Sequence, residues 1–244
     1  MRSSSRRNGS QHGTAAIVTV LAGLLGCGGS GNDSGDDSSD GTDGGAPLGR
    51  VFEGEGTYYD ADGSGNCSFP ASSDLNVAAL NAEQYAGAAY CGACADVSGP
   101  DGTLRVRIVD QCPECKHGDL DLSASAFAQI AEPELGRVPI SWQVVGCDVS
   151  GNLSYQFKDG SSQWWVQVQV RNHRYPIERF EWSADGESWE ALERQDHNYF
   201  ERAEGFGDRS VKIRITASNG AVVEDELPPA QDMLLVEGSV QFAP

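Results

Sequence analysis

Two aspartates in the first half of the chain have the type and spacing needed for acid–base chemistry. Asp110 ends the predicted strand "TLRVRIVD", and Asp121 comes directly before a predicted helix start, so both side chains can reach one groove. A buried carboxyl near another carboxylate can stay protonated and donate a hydrogen bond to a glycosidic or hydroxyl oxygen. The plainer interpretation of Asp121 is a carboxylate that stabilises a helix N-terminus, and nearby Asp119 fits a turn.

A third carboxyl decides whether such a pair could cleave a glycosidic bond. Hydrolysis needs an acid and a second carboxyl roughly 5–9.5 Å away, and Asp60, in "TYYD", is the candidate base. The following "ADGSG" is typical of a turn, where aspartate is common for local hydrogen bonding. We therefore favour a turn role for Asp60.

The segment "DGSSQWWVQVQVRN", residues 159–172, pairs two tryptophans before an alternation of valine and glutamine. Neighbours on a strand point to opposite faces. Strict alternation would bury Trp164 with the valines and leave Trp165 with Gln167 and Gln169 in water. If the strand begins after the pair, both rings can lie at the surface.

The cysteines indicate an oxidising compartment. The chain has seven, and leaving out Cys27 gives six, all between Cys67 and Cys147. "CGAC" followed by "CPEC" also has zinc-ribbon spacing, but an even count in an exported chain favours three disulfides. Spacing does not select their pairing. With these cysteines bridged we expect no metal and no cofactor. We then expect His117 to lie in an exposed loop and His173 to belong to the second half of the chain.

The net charge of the chain limits which classes of partner it can bind. The 244 residues carry a formal net charge of −19. A surface this acidic repels nucleic acid, anionic lipid and anionic wall polymers. We expect a neutral or cationic partner, and a monomer.

The first 50 residues predict export. A basic start and the short apolar run "AAIVTVLAGLLG" precede Cys27, as in a signal peptide. "LLGC" resembles a bacterial lipobox, which implies a signal over 1–27, lipidation of Cys27 and membrane contact only through that lipid. The alternative is an ordinary signal peptide and a secreted protein. Residues 28–50, rich in Gly, Ser and Asp, predict a disordered acidic linker. We expect a cell-surface or outer-membrane lipoprotein, or a secreted protein.

The remainder predicts two mainly β regions. Between 51 and 150, short strands such as "ISWQVVGCDV" alternate with Gly- and Asp-rich turns, and two helices are predicted, over "DLNVAALNAEQY" and over "SASAFAQIA" with Ser123 as cap. This pattern is typical of a small β-barrel. Residues 153–244 predict a cysteine-free β-sandwich, with hairpins at Asp185-Gly186 and Asn219-Gly220.

The region 51–244 resembles bacterial expansins over nearly all of its length. The segments that carry the resemblance occur in the family's order and are "GEGTYYD", "CGACADVSGPDG", "VRIVDQCPEC", "GDLDLSASAF" and "SSQWWVQVQVRNHRYP". The resemblance implies a six-stranded double-psi β-barrel over 51–150 and an immunoglobulin-like, carbohydrate-binding β-sandwich over 153–244. It implies a non-hydrolytic protein that binds and loosens cellulose or a related plant cell-wall β-glucan, xyloglucan and mixed-linkage glucan included.

The resemblance also assigns residues. In the barrel it implies a groove formed by Asp121, Asp110, Thr57 and Tyr58, with Cys112 where the family usually has a tyrosine. In the sandwich it implies carbohydrate-binding residues, namely Trp164, Trp165, Lys158, and His197 or Tyr199 in place of a third aromatic. It implies the disulfides Cys67–Cys91, Cys94–Cys147 and Cys112–Cys115.

Three other functions fit parts of the pattern. An endoglucanase would use Asp121 as acid and Asp60 as base. A polysaccharide adhesin would need only the tryptophans. Lytic transglycosylase-like lipoproteins share the barrel and the lipobox, but the tryptophan-bearing second region does not belong to that group.

Overall fold

The computed structural model describes residues 48–244. The predicted signal peptide, Cys27 and most of the linker therefore lie outside the described residues. Within residues 48–244, no helix is long and apolar enough to cross a membrane. The predicted fold class is confirmed, because a closed six-stranded barrel is followed by two antiparallel sheets.

The barrel closes in the order β1-β5-β2-β4-β3-β6. Parallel pairing joins β1 to β5 and β2 to β4, and the other neighbours are antiparallel. Its strands are β1 (Val51–Tyr59), β2 (Val77–Asn81), β3 (Cys94–Gly99), β4 (Gly102–Cys112), β5 (Leu120–Ser123) and β6 (Val138–Val145). Short helical segments connect them: α1 (Ala82–Tyr85), α2 (Ala124–Phe127) and a 3₁₀ turn (Pro133–Leu135).

One predicted helix is confirmed and the other is mostly wrong. Helix α2 begins after Ser123, whose hydroxyl accepts a hydrogen bond from the Ala126 amide at 3.0 Å. The segment predicted as a helix over "DLNVAALNAEQY" instead forms β2, and only its last four residues are helical. Every residue of β2 is buried between β4 and β5, so sheet pairing overrides the helix propensity of its alanines.

The barrel core is centred on Trp142, which is 1% exposed and packs against Phe52 with ring centroids 4.6 Å apart. The Trp142 indole donates to the Gly118 carbonyl at 2.8 Å. Asp119 is buried beside it, and its carboxylate accepts from the amides of Glu55 and Lys116. Asp119 therefore fixes the turn before β5, as its sequence context predicted.

The two further sheets have strand orders β10-β9-β13-β14 and β11-β12-β8-β7-β15. Phe180 and Phe200, one from each sheet, stack at 5.4 Å in a shared apolar core. The strands are β7 (Ser154–Phe157), β8 (Val166–Arg171), β9 (Ile177–Ser183), β10 (Glu190–Ala191), β11 (Glu193–Arg194), β12 (Phe200–Arg202), β13 (Val211–Ala217), β14 (Val222–Leu227) and β15 (Leu235–Glu237). Both predicted hairpins form, β9–β10 and β13–β14.

Three disulfides lie in and beside the barrel: Cys67–Cys91, Cys94–Cys147 and Cys112–Cys115. This is the pairing that the expansin resemblance implies. The zinc-ribbon alternative is wrong, because these six cysteines are bonded to one another.

The glutamines of β8 do not face water, which corrects the expected alternation. Gln167 is 4% exposed and Gln169 is fully buried. The Gln169 amide donates to the barrel's Cys67 carbonyl at 2.8 Å, and Asn198 donates to the same oxygen at 3.2 Å. The polar face of β8 is therefore buried where the sandwich meets the barrel.

His173 also lies at this junction and not inside the sandwich alone. It is 2% exposed, and its Nδ1 lies 2.8 Å from the Tyr175 carbonyl. Any side chain on the barrel's Gly92, where φ is +75°, would clash with the His173 ring. Burial lowers the pKa of His173 to about 3, so the ring is neutral and structural.

Candidate functional site

Trp164 is the most exposed aromatic side chain in the described part of the chain, with 73% of its surface accessible. Strand β8 begins at Val166, after both tryptophans. The alternation rule therefore does not govern them, as the second interpretation of the sequence expected. Trp165 is half-buried, and its ring lies over Gly160, 3.7 Å from the position a Cβ would take there.

The backbone beneath Trp164 is fixed by a glycine loop. Gly207 donates to the Gln163 carbonyl at 3.0 Å, and the Ser162 hydroxyl accepts from the Trp164 amide at 3.3 Å. Gly205 has a φ of +66°, and a Cβ there would lie 2.2 Å from the Gln163 carbonyl oxygen. Only glycine allows this close approach, so the indole is exposed on a well-supported backbone.

Lys158 and His197 both contact Gln167, two residues after Trp165. The Lys158 amide donates to the Gln167 carbonyl, and His197 Nε2 lies 3.0 Å from the Gln167 side-chain oxygen. We call Trp164, Trp165, Lys158 and His197 the platform. Burial, and then the charge of Lys158, lower the pKa of His197, so its ring is neutral at neutral pH.

Tyr199 is not a platform ring, which corrects one predicted binding residue. It is only 7% exposed. Its ring lies 5.5 Å from the His197 ring, and the Lys158 ammonium lies 5.8 Å from its centroid. Tyr199 therefore lies against the half-buried Lys158 and His197 side chains and has little free face of its own.

In the barrel, Asp121 and Thr57 face each other across the parallel β1–β5 pair. The Thr57 hydroxyl donates to the Asp121 carboxylate at 2.6 Å. Burial raises the pKa of Asp121 above the ordinary value, and the charges of Glu114 and Asp110 add to this, while the Thr57 hydrogen bond and Arg137 oppose it. Asp121 therefore keeps its proton to a higher pH than an exposed aspartate does.

Asp110 is held by main-chain amides. One carboxylate oxygen accepts from Asn66 at 2.7 Å and from Gln111 at 2.8 Å. A Cβ at Gly65 would lie 2.4 Å from the Asp110 carboxyl carbon, so the 63–66 loop closes directly over this side chain. Asp110 is half-buried and acts on Asp121. We call the surface formed by Thr57, Tyr59, Asp110 and Asp121 the groove.

Tyr59 lies in this site, and the groove role predicted for Tyr58, which is 41% exposed, stays a prediction. Thr57 and Tyr59 share one face of β1, whereas Tyr58 lies on the other face, against Phe127 at 4.9 Å. Burial and the charges of Asp110 and Asp121 raise the pKa of Tyr59. Its hydroxyl is buried without a hydrogen-bond partner among residues 48–244. Adjacent tyrosines in "TYYD" could not be told apart without the strand register.

Asp60 does not pair with Asp121. It lies just beyond β1, is exposed, and is not among the charges that shift the pKa of Asp121 or Tyr59. Glu114, between the bridged Cys112 and Cys115, does act on Asp121. His117 is exposed and contacts Glu83 at 3.1 Å, as predicted for a loop. Within residues 48–244, no group of three or more His, Cys, Asp or Glu side chains is arranged to hold a metal ion.

One residue connects the groove to the platform. The Asn66 amide binds Asp110, and the Asn66 side chain donates to the Asp196 carbonyl at 3.0 Å, one residue before His197. The Tyr85 hydroxyl donates to the same carbonyl at 2.8 Å. An open notch lined by Asn66, Gln111 and His197 lies between the two surfaces, so the groove and the platform are neighbours on the molecule.

The sequence of this chain is similar to those of known proteins. A family model described as lytic transglycolase matches residues 77–142, within the barrel. The chain is 38% identical over 203 residues to Expansin-YoaJ of Bacillus subtilis, an alignment that covers 79% of this chain and 87% of that protein. It is 30% identical over 210 residues to Expansin-like protein 2 of Dictyostelium discoideum, covering 81% of this chain and 52% of that protein.

The fold of a solved expansin is also similar. The crystal structure of the apo expansin from Clavibacter michiganensis covers 80% of this chain and 99% of its own, with a TM-score of 0.72 and 33% identity. A mutant of that expansin in complex with cellohexaose gives the same values. The shared barrel, sandwich and sequence show that this chain belongs to the bacterial expansins.

Proposed function

We propose that this protein binds cellulose or a related β-glucan on its platform and loosens contacts between glucan chains with its groove, without cleaving a bond. The observation that carries the proposal is the 73% exposure of Trp164 on a fixed backbone beside half-buried Trp165. A soluble protein gains nothing in stability from an indole in water. A flat sugar face stacked on it buries apolar area at ~25 cal/mol per Å². The known cellohexaose complex of the Clavibacter expansin mutant supports this ligand class.

The platform adds polar contacts to this apolar surface. The Lys158 ammonium can donate to sugar hydroxyls, and its position over the buried Tyr199 ring keeps it beside the platform. His197 offers a smaller ring than a phenol or an indole does. We therefore propose a shortened platform, in which the two tryptophans supply most of the binding free energy.

The groove suits hydrogen-bond exchange. A protonated Asp121 can donate to a glucan oxygen, and the buried Tyr59 hydroxyl, without a partner among residues 48–244, can accept or donate beside it. Inserting such groups between glucan chains replaces chain-to-chain hydrogen bonds. We propose this as the loosening step.

Hydrolysis is the second candidate, favoured by one observation. The carboxyls of Asp110 and Glu114 are close enough to Asp121 to raise its pKa, and glycoside hydrolysis uses a pair of this kind. Two observations oppose hydrolysis. Asp110 is bound by two main-chain amides. Asp60, the base in the endoglucanase hypothesis, is not among the charges that shift the pKa of Asp121. The lytic transglycolase family match covers only the barrel. A pure adhesin would leave the groove without a role.

We further propose that the protein is exported, since three disulfides favour an oxidising compartment. Cys27 would carry the lipid and residues 28–50 would form the tether, or the protein would be secreted. Residues 51–150 and 153–244 would act as two domains of a monomer.

The platform is tested by a cellulose pull-down with Trp164→Ala/Trp165→Ala. We expect about a tenfold or larger loss of affinity, which corresponds to roughly 1.4 kcal/mol. Trp189→Ala is the matched control, because this indole lies in the β9–β10 turn against Arg214. Unchanged binding in the double variant would remove the platform assignment.

The groove is tested by paper-weakening and reducing-sugar assays on wild type and Asp121→Asn. Expansin-type loosening predicts weakening without sustained release of reducing ends, and a loss of weakening in Asp121→Asn with cellulose binding intact. Asp101→Asn, at the exposed β3–β4 turn, controls for the charge change. Sustained sugar release would establish hydrolysis, and equal weakening by both proteins would favour the adhesin.

A further inference from the structure

A second cavity, of about 470 Å³, lies at the junction of barrel and sandwich. The 63–72 loop separates it from the groove: Gly65 and Asn66 cover Asp110, whereas Phe69 and Pro70 line the cavity. This volume lies within the ~300–1,000 Å³ typical of small-molecule sites. Nothing in the proposed cellulose contact uses it.

Three arginines line this cavity, in a chain whose net charge is −19. Arg105 is paired with Asp96 and Asp148 at 2.7 and 2.9 Å. Arg171 donates to the neutral side chains of Gln169 and Gln156 at 2.6 and 3.2 Å, and it also contacts the Tyr199 hydroxyl. Arg171 lines the cavity, and no carboxylate among residues 48–244 forms an ion pair with it.

Arg107 has even fewer partners. Its guanidinium makes no hydrogen bond or ion pair with any residue from 48 to 244, although burial is large enough to lower its pKa. Asp74, at the cavity rim, acts on it only from beyond ion-pair distance. His173, which Arg107 also approaches, is neutral. Arg107 is half-buried. A cation that has lost part of its hydration and has no partner is unfavourable, and an anion in the cavity would offset that cost.

The side chains that line the cavity indicate the chemical class of its ligand. A guanidinium binds a carboxylate through two parallel hydrogen bonds. Asn76 adds a side-chain amide, and Asn172 adds a carbonyl oxygen, because its amide nitrogen already donates to two main-chain carbonyls. Phe69 adds an apolar ring. The overall negative charge repels polyanions, which selects a small ligand with a single charge. We propose that this cavity binds a small sugar acid, with the carboxylate on Arg107 and Arg171.

The test is calorimetric titration of the oxidised protein with glucuronate, with glucose as the neutral analogue and inorganic phosphate as the plain anion. We expect saturable binding of glucuronate, none of glucose, and phosphate binding at least about tenfold weaker. Arg107→Gln should weaken glucuronate about tenfold or more. Arg179→Gln, a charge change on exposed β9 outside the cavity, should have no effect.

Absence of saturable binding in wild type would overturn the proposal, and so would equal binding by Arg107→Gln. Equal affinity for phosphate would overturn the sugar-acid assignment. Because Arg107 is partly buried, its variant could fold poorly. The wild-type titration, followed through the Arg107 guanidinium NMR signal, decides the question without a variant: a shift with glucuronate supports the site and no shift refutes it. Cellulose binding by Arg107→Gln should be unchanged, which separates this site from the platform.

Discussion

Trp164 on the platform is 73% exposed, whereas Asp121 in the groove is half-buried and bonded to Thr57. The platform owes its form to the main chain beneath it, through Gly205 and Gly207. The groove owes its form to hydrogen bonds made by the carboxyls themselves. On the proposed function, the platform would act through apolar area and would be insensitive to protonation near neutral pH, while the groove would act through a proton and depend on pH.

The same contrast runs through the two scaffolds. All three disulfides lie in or beside the barrel, while the sandwich has a continuous apolar core and no cysteine. The stability of the barrel, which has fewer strands, depends partly on disulfides. The sandwich has no disulfide of its own, so its stability depends on packing and hydrogen bonds. Substitutions should therefore weaken the two halves by different routes.

The largest effect is expected from Cys94→Ala/Cys147→Ala. This bridge links residues 53 apart, and the chain-entropy model gives about 4 kcal/mol for a loop of that size. Hydrogen exchange read by mass spectrometry should show the loss in peptides of β2–β6, with β9 and β13 largely protected. An equal loss in both halves would mean that they unfold as one unit.

Phe180→Ala should give the complementary result. Phe180 is fully buried at the centre of the sandwich, and its truncation should lower the free energy of unfolding of that half by ~3 kcal/mol through lost burial and a cavity. The same exchange experiment should locate this loss in β9 and β13. Val222→Ala, at a 53% exposed position, should change little. A loss that appears mainly in the barrel would contradict the separation.

Asp121→Asn should change the pH profile of loosening. In wild type the raised pKa keeps Asp121 protonated in mild acid, so activity should be highest there and fall as the pH rises through that pKa. The stability linked to this group has the same sign: it is present at low pH and lost as the pH rises. The asparagine cannot ionise. The paper-weakening activity of the variant should therefore be about tenfold lower in acid and should not change with pH.

A wild-type profile that does not fall with rising pH would contradict this role of Asp121. Asp101→Asn should retain the wild-type profile. Comparing the two variants at several pH values separates the groove proton from the general effect of removing one negative charge.

His197→Tyr should give the smallest effect. A phenol has a larger face than an imidazole, and the added stacking should tighten cellulose binding by about 0.5–1 kcal/mol, which is a few-fold. Because the pKa of His197 is lowered, wild-type binding should be constant near neutral pH and change only in acid. The variant should remove that acid dependence, and a pull-down across pH measures both. Weaker binding by the variant would place His197 outside the sugar contact.

Much of the fold could be predicted from local patterns. The strands β4, β6, β9 and β13, the Ser123 cap and both hairpins follow from alternation and turn residues. The segment at β2 could not, because "VAAL" has no period and its burial comes from two distant strands. Helix propensity is then the wrong guide.

The site was predictable in outline, and its details depended on tertiary contacts. Asp110, Asp121 and Thr57 lie close together, and both tryptophans precede β8. Their roles stay predictions. Tyr59 was missed because a one-residue change of register exchanges the faces of neighbouring residues. The burial of Tyr199, Gln167 and Gln169 depends on the barrel packed against the sheet, which no local pattern records.

Asn66 has a mechanical consequence. Its amide holds Asp110 and its side chain holds the Asp196 carbonyl beside His197, while the Cys67–Cys91 bridge anchors the next residue. If a polymer is seated against the tryptophans as proposed, these short links would carry a pull on it to the aspartates. Tension on one chain of a fibre would then displace its neighbour.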